Sequence, residues 1–245
     1  MARFNGKELI GSLGNVAFRN VDGTTYLQTK PGRGGVRQTK ATKKAASDFG
    51  TASSTTKMLS LGLRILLQTY YQKNMFNSFR SVVYDAMLAN TLLPKGTKNL
   101  WEGDLNLLTG FEFNTASLYA DYCRVPLSMT ENPNGSLTLQ TPGFVPADVL
   151  LWPATASSAV LCYNVTYYQP DTYKIIQQEV FRVAVADAVH PIAAQSFTTQ
   201  PIAAPALALV SSCVLYFKED ALLGSVCINH KALHPMQLLQ ALRMV

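Results

Sequence analysis

Acidic residues are scarce in the first hundred positions. Four Asp or Glu stand there against fifteen Lys or Arg, a net charge of +11, while residues 101–245 carry eleven acids against six bases, a net of −5, and the two sum to the +6 of the whole chain. Such polarity points either to a polyanionic partner for the first part or to contact between the basic part of one copy and the acidic part of the next. Cysteine is sparse as well. Cys123, Cys162, Cys213 and Cys227 are widely spaced in apolar or mixed surroundings, which excludes a disulfide-dense scaffold and reads as reduced core residues, with Cys162 and Cys213 able to face each other across a sandwich. The first fifteen residues lack the apolar core of a secretory signal peptide, so the expected location is cytoplasmic or virion/particle-associated. The longest apolar run, residues 201–217, is broken by Pro205, Ser211 and Ser212; at the short limit for a membrane span, it reads as β-strand, and no membrane span is expected.

Catalytic signatures are missing. There is no G-x-S-x-G elbow, and Lys95-Gly96-Thr97 lacks the Gly-Lys-Ser/Thr order of a phosphate-binding loop. Cys227, His230 and His234 have a C-x2-H-x3-H spacing that offers three metal ligands but no evident fourth, on a segment read as a core strand and a turn. Asp187 with His190 reads as a surface pair, and the acid pairs Glu102/Asp104 and Glu219/Asp220 as loop solvation. The expectation is a protein that is not an enzyme, with no metal and no cofactor.

What is present begins with a hairpin. Asp22-Gly23 occupies the centre of Val21-Asp22-Gly23-Thr24, where a type I′ turn needs positive φ and matches strand twist. Counting outward pairs Phe18 with Leu27, Arg19 with Tyr26 and Val16 with Thr29, which makes one face apolar and the other mixed. A lone two-stranded hairpin is marginal in water, so it must dock on its own chain or on a neighbour. Pro31-Gly32-Arg33-Gly34-Gly35 then opens a pliable arm whose cations Lys30, Arg33, Arg37, Lys40, Lys43 and Lys44 lie within fifteen residues. Phosphate neutralisation fits these cations, but only Tyr26 lies near for base stacking.

The period then turns helical. Phe49, Ala52, Thr56, Leu59, Leu63, Leu66 and Tyr70 mark one stripe of a long helix within residues 37–72, and Phe76, Phe79, Val83 and Ala86/Met87 mark a second over 74–90, an αα-hairpin. Beyond the turn at 93–97 short β-like runs follow at 105–108, 128–130, 136–140, 159–168, 173–186, 206–217 and 222–229, spaced as an antiparallel sandwich requires. Met236, Leu238, Leu239, Leu242 and Met244 read as a short amphipathic helix or a docking tail.

The run Gly11-Ser12-Leu13-Gly14-Asn15, an apolar strand, a tight turn, a second strand ending in Lys30-Pro31 and residues 38–54 leading into helices resembles an uncharacterised family common in Bacteroidota. Its members carry an N-terminal G-x-x-G-N hairpin, an αα unit and an immunoglobulin-like C-terminal domain. The resemblance implies a non-enzymatic role and transfers no catalytic residues; the basic arm at 33–44 departs from it. The combined expectation is an α+β chain: an N-terminal β-hairpin and flexible arm at 1–36, a helical hairpin at 37–98, and an Ig-like or fibronectin-like antiparallel β-sandwich with a C-terminal tail at 99–245. Its expected role is that of a structural subunit that self-assembles into a homopolymer (a filament, tube or phage-like particle) through its N-terminal hairpin and arm, with Val16, Phe18, Arg19, Tyr26 and Leu27 at the interface, the alternative being nucleic-acid binding by the basic arm at 33–44.

Overall fold

The computed structural model describes residues 2–4, 6, 8–30, 38–203 and 205–244. The chain is a mixture of helices and antiparallel sheets, and it divides into two compact units, Met1–Lys44 and Ala45–Val245. The division falls at Lys44 rather than at the expected residues 36 and 98, because the helices and the large sheet share one core.

In the first unit the strands β1 (Arg3–Phe4), β2 (Leu9–Leu13), β3 (Val16–Val21) and β4 (Thr24–Thr29) form a four-stranded antiparallel sheet in that order. The hairpin expected to be two-stranded is therefore extended by two further strands. The β3–β4 register pairs Val16 with Thr29, Phe18 with Leu27 and Arg19 with Tyr26, as counted from the turn. That turn has φ of 51° at Asp22 and 84° at Gly23, the two positive values a type I′ geometry needs, and Gly23 N–H donates to Asn20 Oδ1 at 3.0 Å.

In the second unit two helices lie on one face of a large sheet. α1 runs Lys40–Leu67, beginning in the first unit, and α2 runs Met75–Ala89. The first helix stops five residues before the expected Gln72. Gln68 takes φ of 49°, the left-handed conformation that closes many helix C-termini, and its N–H still reaches Arg64 O. Ala52, Leu59, Leu63 and Leu66 of the expected stripe are buried, whereas Phe49 is 44% exposed and meets Tyr84 of α2 edge to face at 5.7 Å. The remaining strands are β5 (Ser128–Glu131), β6 (Leu137–Thr141), β7 (Ser158–Tyr168), β8 (Ile175–Val185), β9 (Gln195–Thr198), β10 (Ala206–Asp220), β11 (Gly224–Cys227) and β12 (Met236–Met244). β7 lies between β8 and β10, and the far edge of β10 pairs with β12 along one half and β11 along the other. β5, β6 and β9 make a second, three-stranded sheet.

Period-two alternation sends β7 and β10 to two different cores. Cys162, Tyr168, Leu207, Leu209 and Cys213 pack with α1 and α2. Leu161, Tyr163, Val165, Tyr167, Ala208, Val210 and Val214 pack with Leu137 and Leu139 of the small sheet. The order is thus helices, large sheet, small sheet. This two-sided burial is why the 201–217 run has almost no polar residues to alternate with. Cys162 and Cys213 are direct partners within one sheet rather than across two, and both are free thiols.

Two expectations fail locally. Residues Leu105–Leu108 form a 3-10 turn capped by Asp104, whose carboxylate accepts Asn106 N–H at 3.0 Å. Met236–Met244 is a strand, not a helix or tail: a bulge between Val210 and Ser211 of β10 leaves Leu239 unpaired on β12, so Leu238 and Leu239 fall on opposite faces in succession. One extra residue converts alternation into a spacing that imitates a helix.

Helix and sheet are joined by polar bonds to the carbonyls of α1. Tyr168 OH donates to Leu59 O at 2.7 Å, and Asn164 and Gln178 donate to Gly62 O. The glycine is required by this close approach: a Cβ there would sit 2.2 Å from the Tyr168 hydroxyl and 2.6 Å from Thr166 Cγ2. At the end of the helix, His234 Nε2 lies 2.9 Å from Leu66 O and Nδ1 lies 3.2 Å from Asn229 Nδ2. Leu66 O can only accept, so Nε2 carries the proton and Nδ1 accepts from Asn229. This buried ring is one of the orphan-carbonyl partners at the helix C-terminus. Both His234 nitrogens being used, and Cys227 bonding toward Asn229, the C-x2-H-x3-H residues do not converge; among the described residues no group of three or more His, Cys, Asp or Glu is placed to hold a metal ion. Asp187 and His190 do pair, at 2.6 Å on the surface, with the His190 backbone and ring drawing the Asp187 carboxyl below its ordinary range.

Candidate assembly interface

Opposed residues of an antiparallel pair share a face, so the register assigns Leu13, Val16, Phe18, Leu27 and Thr29 to one face and Ala17, Arg19, Tyr26 and Gln28 to the other. The first face carries the larger apolar side chains, while Ile10 and Val21, 43% and 47% exposed, stand on the other. Leu13 is 65% exposed and Leu27 66%, values typical of residues with nothing over them, while Val16 and Phe18 between them are half-buried by their own neighbours. On the other face Arg19 is exposed and Tyr26 is 53% exposed. Phe4, opposite Leu9 on β1 and β2, is a further large exposed side chain.

The edge is as open as the face. Lys30 N–H donates to Asn15 O, which makes Asn15–Lys30 a bonded pair and, by alternation, Ala17–Gln28, Arg19–Tyr26 and Val21–Thr24 the others. Thr25, Leu27 and Thr29 therefore turn their N–H and C=O outward from the sheet. Every residue of β4 is exposed, and among the described residues no strand pairs with its outer side. Natural edges are guarded by lysine, proline, bulges or shortness. The β4 sequence Thr-Thr-Tyr-Leu-Gln-Thr has no charge, no proline and no bulge, and consists largely of β-branched and aromatic residues.

The basic arm divides differently. Arg33 and Arg37 lie outside the described residues. Lys30 belongs to the sheet: its Nζ donates to Gly14 O at 3.2 Å. Lys40, Lys43 and Lys44 are exposed in the first turns of α1, behind Thr39, whose hydroxyl accepts Thr42 N–H at 3.1 Å as an N-cap. No acid stands in that first turn.

The sequence reading assigns no strand to β1 or β2 and puts neither Leu13 nor Phe4 at the interface. The signal was there in Gly14-Asn15, a two-residue turn with Gly14 at φ of 57° between the alternating Leu9–Leu13 and Val16–Val21 runs. Comparison with protein families, with curated proteins and with solved structures found no match. No helix among the described residues is long and apolar enough to cross a membrane.

Proposed function

We propose that this protein is a structural, self-assembling subunit, a homopolymer component of filament, tube or phage-like type, joined to neighbouring copies through its N-terminal sheet. The observation that carries the reading is the unguarded edge of β4 beside an apolar row of Leu13 and Leu27. Strand addition satisfies the outward backbone groups of Thr25, Leu27 and Thr29, and the apolar row supplies buried area. The opposite edge, β1, is two residues long, so β4 finds its best complement in the β4 of a second copy. A β4–β4 contact is isologous and closes as a dimer; using the apolar face as a second, independent contact extends dimers into an open chain. The layered helix and sheet unit is then the body of the subunit. Its two packed antiparallel sheets support an Ig-like sandwich only at the level of layout, and the same layout is what the likeness to the Bacteroidota hairpin family leads one to expect.

The test is sedimentation across a concentration series. Leu13 and Leu27 are each about two-thirds exposed, so covering both contributes about 2–4 kcal/mol per interface. Leu13→Ser with Leu27→Ser raises the concentration needed for assembly by about one and a half to three decades, with the fold unchanged by circular dichroism. A double variant that pellets like the wild type removes the apolar face from the mechanism.

A second reading has its own observation. Lys40, Lys43 and Lys44 cluster at the positive end of the α1 dipole with no acid in its first turn, an arrangement that an anionic partner such as a nucleic-acid backbone relieves. Binding by this segment would fall steeply with salt and survive the leucine changes.

A further inference from the structure

Between α1 and α2 lies a groove of about 250 Å³ whose wall is built from cations and hydroxyls. Lys57, Ser60 and Arg64 stand on one stripe of α1, three and four residues apart, and Arg80 reaches in from α2. No carboxylate lines it, and among the described residues none of these three cations is in an ion pair, the single pair found being Asp187 with His190. Like charges converging without a counter-charge repel one another, so the arrangement favours an anion between them. Arg80 is already held: its guanidinium lies 4.7 Å over the Phe49 ring, and one Nη2–H donates to Asn77 Oδ1 at 3.1 Å. That leaves the rest of its planar fork free to donate. Thr56, 5% exposed, also lines the groove, and its hydroxyl has no hydrogen-bond partner. Phe76 adds an apolar wall, half-buried against Tyr71 at 5.0 Å.

We propose that this groove is a binding site for a phosphate group carried on a small organic body. The oxyanion takes Lys57, Arg64 and Arg80 as charge-assisted donors with the unpartnered Thr56 hydroxyl beside them, the Ser53 and Ser60 hydroxyls being already donated to Phe49 O and Thr56 O, and Phe76 covers the apolar part of the ligand. The site lies wholly within the second unit and does not depend on assembly through the first.

The chemistry is shared by free phosphate and by a phosphomonoester, and calorimetry at low ionic strength with inorganic phosphate and with phenyl phosphate separates the two. Phenyl phosphate binding with one-to-one stoichiometry and more tightly than inorganic phosphate supports the organic body. Arg64→Gln with Arg80→Gln lowers affinity at least tenfold, since charged hydrogen bonds to the oxyanion are removed. Should loss of the Phe49 stack unfold that variant, Lys57→Gln with Arg64→Gln, both exposed, reads the same loss. Failure of both probes to bind overturns the site, as does equal binding by wild type and variants. Inorganic phosphate binding as tightly as phenyl phosphate overturns the organic body. A single-stranded oligonucleotide that binds wild type and both variants alike, with neither phosphate probe bound, assigns anion binding to the lysines at the start of α1 instead.

Discussion

Acidification should weaken this fold through His234, and the size of the effect follows from its surroundings. Burial pushes the imidazole down from 6.5 to about 4, against a smaller upward influence from its bond to Leu66 O. A second proton would have to enter at Nδ1, which faces the Asn229 amide as an acceptor. The unfolded chain therefore takes up a proton before the folded one does. The stability that His234 contributes is complete above about pH 6.5, declines as pH falls toward about 4, and changes no further below that. With these values the loss is about 2 kcal/mol by pH 5 and about 3 kcal/mol by pH 4. Urea unfolding at a series of pH values, for wild type and for His234→Gln, isolates the effect, since glutamine can still donate to Leu66 O but does not titrate. The raised carboxyl of Glu112, which works in the opposite direction, is common to both proteins and cancels in the difference. The wild type should lose about 2 kcal/mol more than the variant between pH 7.5 and 5, and the ring resonances of His234 should titrate near pH 4. Parallel stability profiles, or a ring midpoint at 6 or above, would refute the buried neutral tautomer.

Two further changes probe how α1 is held. Gly62→Ala sets helix propensity, worth about 1 kcal/mol in favour of alanine, against a methyl 2.2 Å from the Tyr168 hydroxyl; overpacking wins, and chemical denaturation should show a net loss of about 1–3 kcal/mol. A stabilised variant would mean that helix and sheet are not in this close contact. Asp48, buried on α1, accepts Gly96 N–H at 2.8 Å and Lys98 N–H at 3.0 Å; Asp48→Ala strands both amides and should cost about 2–4 kcal/mol, read by thermal melting with faster amide exchange at Gly96 and Lys98, and unchanged exchange there would argue against the tether.

Local chemistry alone determined several parts of this protein. Asp22-Gly23 sets the turn and, through it, the β3–β4 register, because only a type I′ geometry suits those residues and the pairing is then a matter of counting. The stripe from Ala52 to Leu66 and the one from Phe79 to Met87 determine two helices, since a period of 3.6 has no other regular solution. The asymmetric charge and the pairing of Phe18 with Leu27 on one face were likewise visible as composition and alternation. Tertiary structure decided the rest. Only the contact between α1 and the sheet explains Gly62, which by sequence looks like a weak point in a helix. Only the bulge opposite Val210 and Ser211 turns the Met236–Met244 spacing into a strand, because a single unpaired residue shifts every later side chain to the other face. The groove of Lys57, Arg64 and Arg80 is invisible along the chain, where these residues are spread over twenty-four positions, and exists because α1 and α2 each turn polar side chains toward it. Spacing along a chain reports which face a residue takes; what that face meets is set by long-range packing.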